Sequence, residues 1–241
     1  MKGKDVEAMT YDTLRKLGFA KTNTLYADSS CPDEINHNGT DITTHYTNRY
    51  GEIFPLSGLG GLPFTGQTGW AAFSSHTPKD GNIVVLFAPH VGVDSNGLVG
   101  KVHRHGIENT TTACGAAVGA YNAVLADKNA GQMKGGYQDY QMECIKHLLA
   151  DRVQNIKGSR NEMATLAYQM YEIIEQFMEN VIDMKWAGPN SKLAIIGGIM
   201  INCDGQNTDR FVPLKFEVMH KNGSRDDLFS KTFGFGPYVS E

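Results

Sequence analysis

Ile83-Val84-Val85-Leu86-Phe87-Ala88-Pro89-His90 is the stretch whose reading decides the fold. Six apolar residues run without a break and are rich in β-branched types, and Asp80-Gly81-Asn82 supplies a turn before them. A strand that is apolar at every position is buried on both faces, as strands of parallel α/β sheets are. Proline cannot continue a central ladder, so the strand ends at Pro89 and places His90 at its carboxyl end. In open α/β sheets that is the edge where ligands bind.

Two other segments converge on this edge. Cys31-Pro32-Asp33-Glu34-Ile35-Asn36 follows an earlier strand, and Ala113-Cys114-Gly115-Ala116-Ala117 opens a helix. Together they offer two thiols, an imidazole and a carboxylate.

Working outward, the apolar spacing of Val6, Met9, Leu14 and Leu17 predicts a first helix closed by Gly18. Thr22 to Ala27 reads as a short strand, with Asp28-Ser29-Ser30 as its exit. Residues 37–69 read as loop, and Trp70 to Ser75 as a second strand. Within the loop, residues 54–66 are apolar and glycine-rich. They lack the lysine and spacing of a phosphate-binding loop and fit either a backbone lying close to a small ligand or an irregular packed loop. Val91 to Thr112 reads as loop again, followed by a small-residue helix from Thr112 to about Ala126. Tyr137 to Ile156 and Glu162 to Val181 are predicted as two long amphipathic helices. Lys192 to Asn202 is a third core strand, and Gln206-Asn207-Thr208 turns into a further strand over Arg210 to Met219. The pattern predicts an α/β fold, a mostly parallel central sheet flanked by helices, in a single domain over residues 1–241.

Composition narrows the partners. Hydrophobic residues make up 41% and charged residues 20%, ordinary for a soluble globular chain. The net charge of -4 comes with no basic cluster, which speaks against nucleic acid. Every apolar run is far shorter than the roughly 20 residues that span a bilayer. The four cysteines accompany no secretory signal, so free or metal-bound thiols in a reducing compartment are expected.

Two thiolates and an imidazole form a soft donor set that suits zinc. Here Cys31, His90 and Cys114 are far apart in sequence and each follows a different element, unlike the close pairs of structural zinc modules. That contrast favours a catalytic site, in which three protein ligands leave a fourth position to water. His103 or His105 is an alternative fourth ligand. In a reading without metal, Cys31 and Cys114 are buried small hydrophobes and His90 a loop residue. In another, Cys114 is a nucleophile for acyl transfer or hydrolysis, with His90 as base and Asp33 as orienter, and Cys31 is left unexplained.

The order of these motifs resembles β-class carbonic anhydrases, which carry Cys-x-Asp-x-Arg and later His-x-x-Cys-Gly. The chain departs from that pattern at Ile35, where the class has arginine, and in the long insertion between His90 and Cys114. Both departures resemble the limiting-carbon-dioxide-inducible B/C family, also called theta carbonic anhydrases. Asp33-Glu34-Ile35-Asn36, the Gly58 to Gly66 loop, Ala88-Pro89-His90-Val91-Gly92 and Gly100-Lys101-Val102 through Cys114-Gly115-Ala116 carry the likeness. It implies a β-carbonic-anhydrase-like fold, a zinc ion bound by Cys31, His90 and Cys114, and reversible hydration of carbon dioxide to bicarbonate by metal-bound hydroxide. It further implies Asp33 as the group that orients the water. Arg104, whose loop leads into Cys114, is expected in place of the missing arginine, with Arg49 as the alternative. Phe54, Leu59, Leu62 and Phe64 are expected to wall the substrate pocket. A homodimer is implied, and a plastid location if the source is an alga, otherwise the cytoplasm. The competing family reading is a non-catalytic zinc-containing partner subunit of a carbon-concentrating assembly, with Asp33 closing the metal site.

Overall fold

The computed structural model describes residues 1–204 and 209–237. In chain order the elements begin α1 (Gly3–Lys16), β1 (Thr24–Ser30), α2 (Ile42–Tyr50), β2 (Ile53–Pro55), α3 (Gly66–Ser75), β3 (Asn82–Ala88) and β4 (His90–Val93). A small ribbon, β5 (Lys101–Val102) and β6 (Thr111–Thr112), leads to α4 (Gly115–Ala126). Then come α5 (Tyr140–Leu149), α6 (Val153–Lys157), α7 (Glu162–Val181), β7 (Lys192–Cys203), β8 (Arg210–His220), β9 (Arg225–Asp227) and α8 (Phe229–Phe233).

The main sheet has the order β2-β1-β3-β7-β8-β9, and β4 also pairs with β7. From β2 to β7 the pairings are parallel; β8 and β9 add antiparallel strands. The unbroken apolar run of β3 has a direct cause. Ile83, Val85 and Phe87 enter a core under α3 to α7, while Val84, Leu86 and Ala88 enter a second core under α1, α2 and α8. Full burial of such side chains contributes roughly 1.5–3 kcal/mol each, so the strand is fixed from both faces. Pro89 interrupts β3, yet its carbonyl accepts from the Met200 amide at 2.9 Å. His90 then resumes pairing on the same neighbour, opposite Met200.

Several sequence expectations are corrected. Trp70 to Ser75 is helix α3, not strand: Trp70, Phe73 and Ser74 are its buried residues, a helical spacing that six residues of mixed type left ambiguous. The stretch expected as loop contains α2, whose first turn is capped by Asp41 accepting from the Thr44 amide at 2.7 Å, and which buries Ile42, Tyr46 and Tyr50. The loop expected after His90 holds β4 and the β5–β6 ribbon. The long helix over Tyr137 to Ile156 is two helices, α5 and α6. β1 absorbs Asp28-Ser29-Ser30, because its ladder with β3 runs to Ser30 opposite Ala88. The turn expected at Gln206-Asn207-Thr208 lies outside the described residues.

Candidate metal centre

β1 and β3 end side by side, so Cys31 and Pro89 leave the sheet together. Cys114 arrives from the other direction, as the residue that precedes the first turn of α4. Its approach is tied to β4: the Gly92 amide donates to the Ala113 carbonyl at 3.0 Å. Three separate elements thus deliver Cys31, His90 and Cys114, all buried, to one place.

Their donor atoms all lie within 4.8 Å of one another. The two sulfurs stand 3.7 Å apart. His90 Nδ1 lies 2.8 Å from Asn202 Oδ1, whereas its Nε2 is buried without a hydrogen-bond partner. A buried polar atom with no partner is costly in a folded chain. Beside two soft sulfurs, that atom completes a donor set that fits zinc. Hydrogen bonding from Cys114, working against burial and helped by His90, holds the Cys31 thiol down to about 5. Cys114 moves the opposite way, since it is bonded to the Cys31 sulfur and buried beside that charge. As a nucleophile, Cys114 would leave the Cys31 sulfur, 3.7 Å away, without a role.

Asp33 approaches the same point, with Oδ2 3.7 Å from His90 Nε2. Arg104 clasps it with both terminal nitrogens, Nη2 donating to Oδ2 at 2.8 Å and Nη1 to Oδ1. Burial pushes the Asp33 carboxyl up, but the guanidinium and His90 outweigh it and hold it below the usual carboxylate range. Arg104 is anchored in turn, Nε donating to Thr111 Oγ1 at 2.8 Å and Nη2 to the Thr112 carbonyl at 3.1 Å. Its Nη1 also reaches the exposed Glu34. Arg49 is elsewhere: it donates to Glu7 at 2.7 Å and lies over the Tyr11 ring. Neither His103 nor His105 joins the donor group; His103 Nδ1 pairs with Asp204 at 2.6 Å, and both residues are exposed.

The small cavity touching His90 and Cys114 is walled by Val91, Ala113, Ala117, Val118, Met163, Leu166 and Ala167. Phe54, Leu59, Leu62 and Phe64 are not among its lining residues. Phe54 packs on Phe73 at 5.1 Å between ring centres, Phe64 meets Tyr140 at 6.4 Å, and Leu62 is buried in the core with Leu59 against it. Their loop still passes close by. At Gly61, with φ of 85°, a Cβ would stand 3.1 Å from the Ala88 carbonyl and 3.4 Å from the Cys31 nitrogen, so the loop braces the backbone of the site. The sequence reading did not name the α4 and α7 residues that line this cavity, because an apolar helix gives no sign of which neighbour it faces. It also missed Asn202, for which the signal was a polar residue ending an apolar strand.

The family of limiting CO2-inducible proteins B/C, β-carbonic anhydrases, matches residues 1–220. The chain belongs to this family. Among solved structures, PtLCIB4, a homologue of the limiting CO2-inducible protein LCIB, is 28% identical with a TM-score of 0.87 over 94% of each chain. The structure of LCIB is 22% identical with a TM-score of 0.71, over 94% of this chain and 92% of that one, and speaks for the fold alone. No curated protein matches the chain. A limiting CO2-inducible B/C chain with a carbonic-anhydrase-like domain and a Cys-His-Cys donor group is therefore established. No helix among the described residues is long and apolar enough to cross a membrane.

Proposed function

We propose that this chain reversibly hydrates carbon dioxide to bicarbonate at a zinc ion held by Cys31, His90 and Cys114. The observation that carries the reading is the unpartnered, buried Nε2 of His90 beside two sulfurs, with the nearby carboxylate of Asp33 clasped by Arg104. Zinc bound there supplies a Lewis acid and brings the pKa of a water to near 7. The chain does the rest. Cys31 and Cys114 give up their thiol protons. Asp33, kept ionised by Arg104, presents an acceptor that orients the reacting water. Ala117, Val118 and Leu166 offer apolar contact to a substrate with almost no hydrogen-bonding handle. Residues 1–241 act as one zinc domain, assembled as a homodimer as in the β class, in a compartment reducing enough to keep Cys31 and Cys114 free.

A second reading has its own observation. Asp33 Oδ2 at 3.7 Å from His90 Nε2 is close enough to reach the metal after a small rotation, which closes the site and makes the chain a non-catalytic partner subunit. Elemental analysis together with stopped-flow hydration separates the two. About one zinc per chain and measurable hydration, lost in Cys114→Ser, are expected. Zinc without hydration supports the partner subunit; absence of zinc overturns both.

A further inference from the structure

We infer that Asn202 is a positioning residue: its side-chain oxygen fixes His90 as the Nδ1–H tautomer and aims the Nε2 lone pair at the two sulfurs. The inference rests on the zinc reading above and adds to it a residue that no part of that reading uses.

The surroundings of the amide decide its orientation. Asn202 Nδ2 faces three acceptors: Asn36 Oδ1 at 3.0 Å, the Ile35 carbonyl at 3.4 Å and Asp209 Oδ2 at 3.4 Å. Three acceptors on one side require the NH2 group there, so the oxygen turns to His90 Nδ1 at 2.8 Å. An amide oxygen only accepts, so Nδ1 must carry the hydrogen. A neutral imidazole protonated at Nδ1 has its lone pair at Nε2, the atom left buried and without a partner. Reversed, the amide would set its NH2 against the imidazole and its oxygen against a carboxylate and two carbonyl oxygens.

The support is itself held. Asp209 accepts from the Cys203 amide at 3.0 Å and from Asn38 Nδ2 at 2.9 Å. Asn36, fully buried, spends its own NH2 on the Cys31 carbonyl at 3.0 Å. One chain of amides thus orients the imidazole and braces the backbone of a sulfur donor. Strand register delivers it: Met200 sits opposite His90, and Asn202, two residues on, projects from the same face of β7.

Zinc affinity, read by competition with a chromophoric chelator, tests the inference without recourse to activity. Asn202→Leu keeps the shape but has no acceptor, and should bind zinc about 10- to 100-fold more weakly than wild type. Asn202→Gln keeps both an oxygen for the Nδ1 hydrogen and an NH2 group for the acceptors behind it, and should recover part of that loss. In zinc-loaded wild type labelled with 15N-histidine, NMR should find the His90 ring hydrogen on Nδ1. A folded Asn202→Leu with wild-type zinc affinity overturns the inference and leaves the zinc reading standing. A ring hydrogen on Nε2 overturns it even if the variant fails to fold. Wild type that binds no zinc brings down both.

Discussion

On the proposed zinc reading, a carboxylate two residues from a sulfur ligand either faces the reacting water or binds the metal, and at Asp33 the clasp of Arg104 sets the choice. Asp33→Asn should keep its zinc and lose hydration by about 100-fold or more, the scale of a lost proton-handling group. Arg104→Ala should also lose activity, by freeing Asp33 to close the site; stopped-flow rates with zinc content measured for each variant check both. Unchanged hydration in Arg104→Ala would remove Arg104 from the mechanism. A second carboxylate has a pH signature. Burial raises Asp28 from 3.8 to about 7, against the hydrogen bonds of Ser30, and leaves one oxygen unpartnered. The folded chain therefore keeps a proton that the unfolded chain releases near 3.8, and stability falls as pH rises from about 4 through 7, then levels off. The span is up to about 4 kcal/mol. Asp28→Asn should flatten that slope in zinc-replete denaturation curves at pH 5 and pH 8. Much of the site was legible at this scale because Cys31, His90 and Cys114 each sit where an element visibly begins or ends. Arg104 was reachable only as the arginine whose loop leads into Cys114, and Asn202 depended on β7 lying beside β4, a pairing no local pattern encodes.

Among the elements, β4 and the β5–β6 ribbon behave as one support. A Cβ on Gly92 would stand 2.6 Å from the Lys101 carbonyl oxygen, which is backbone and cannot swing away. Gly92→Ala should pry the ribbon from β4 and shift both Arg104 and Cys114. The expected cost is about 1–3 kcal/mol of stability together with weaker zinc binding. Gly97→Ala, where a Cβ meets nothing within 4 Å, is the comparison; there only the φ of 82° resists the side chain. Thermal midpoints and zinc competition on both variants provide the check. Strands buried on both faces, such as β3 and β7, declared themselves in sequence. Short or mixed segments did not: the six residues Trp70 to Ser75 of α3 are too few and too mixed to separate helical from strand spacing, and α2 hides its stripe of Ile42, Tyr46 and Tyr50 among threonines and a histidine.

For the whole molecule, the sheet divides two cores, and the donor group lies at the carboxyl end of its parallel strands, joining β1, β4 and α4. A metal held there would favour the folded chain over the unfolded one. At a free zinc concentration 1,000 times Kd this is worth about 4 kcal/mol. Chelation should lower the thermal midpoint by roughly 10 °C, at about 2–4 °C per kcal/mol for a chain of this size. A midpoint indifferent to chelator would mean that no metal is bound. The supports of the three donors differ in stiffness. His90 and Asn202 ride on one β-ladder, so a breathing motion of that edge carries imidazole and acceptor together, and Asn36 straps Cys31 to the same frame. Cys114 hangs from a two-stranded ribbon and the start of a helix. Compliance is therefore concentrated in a single sulfur, and an ion of larger radius would be accommodated by yielding at Cys114 while the histidine side of the site holds its dimensions.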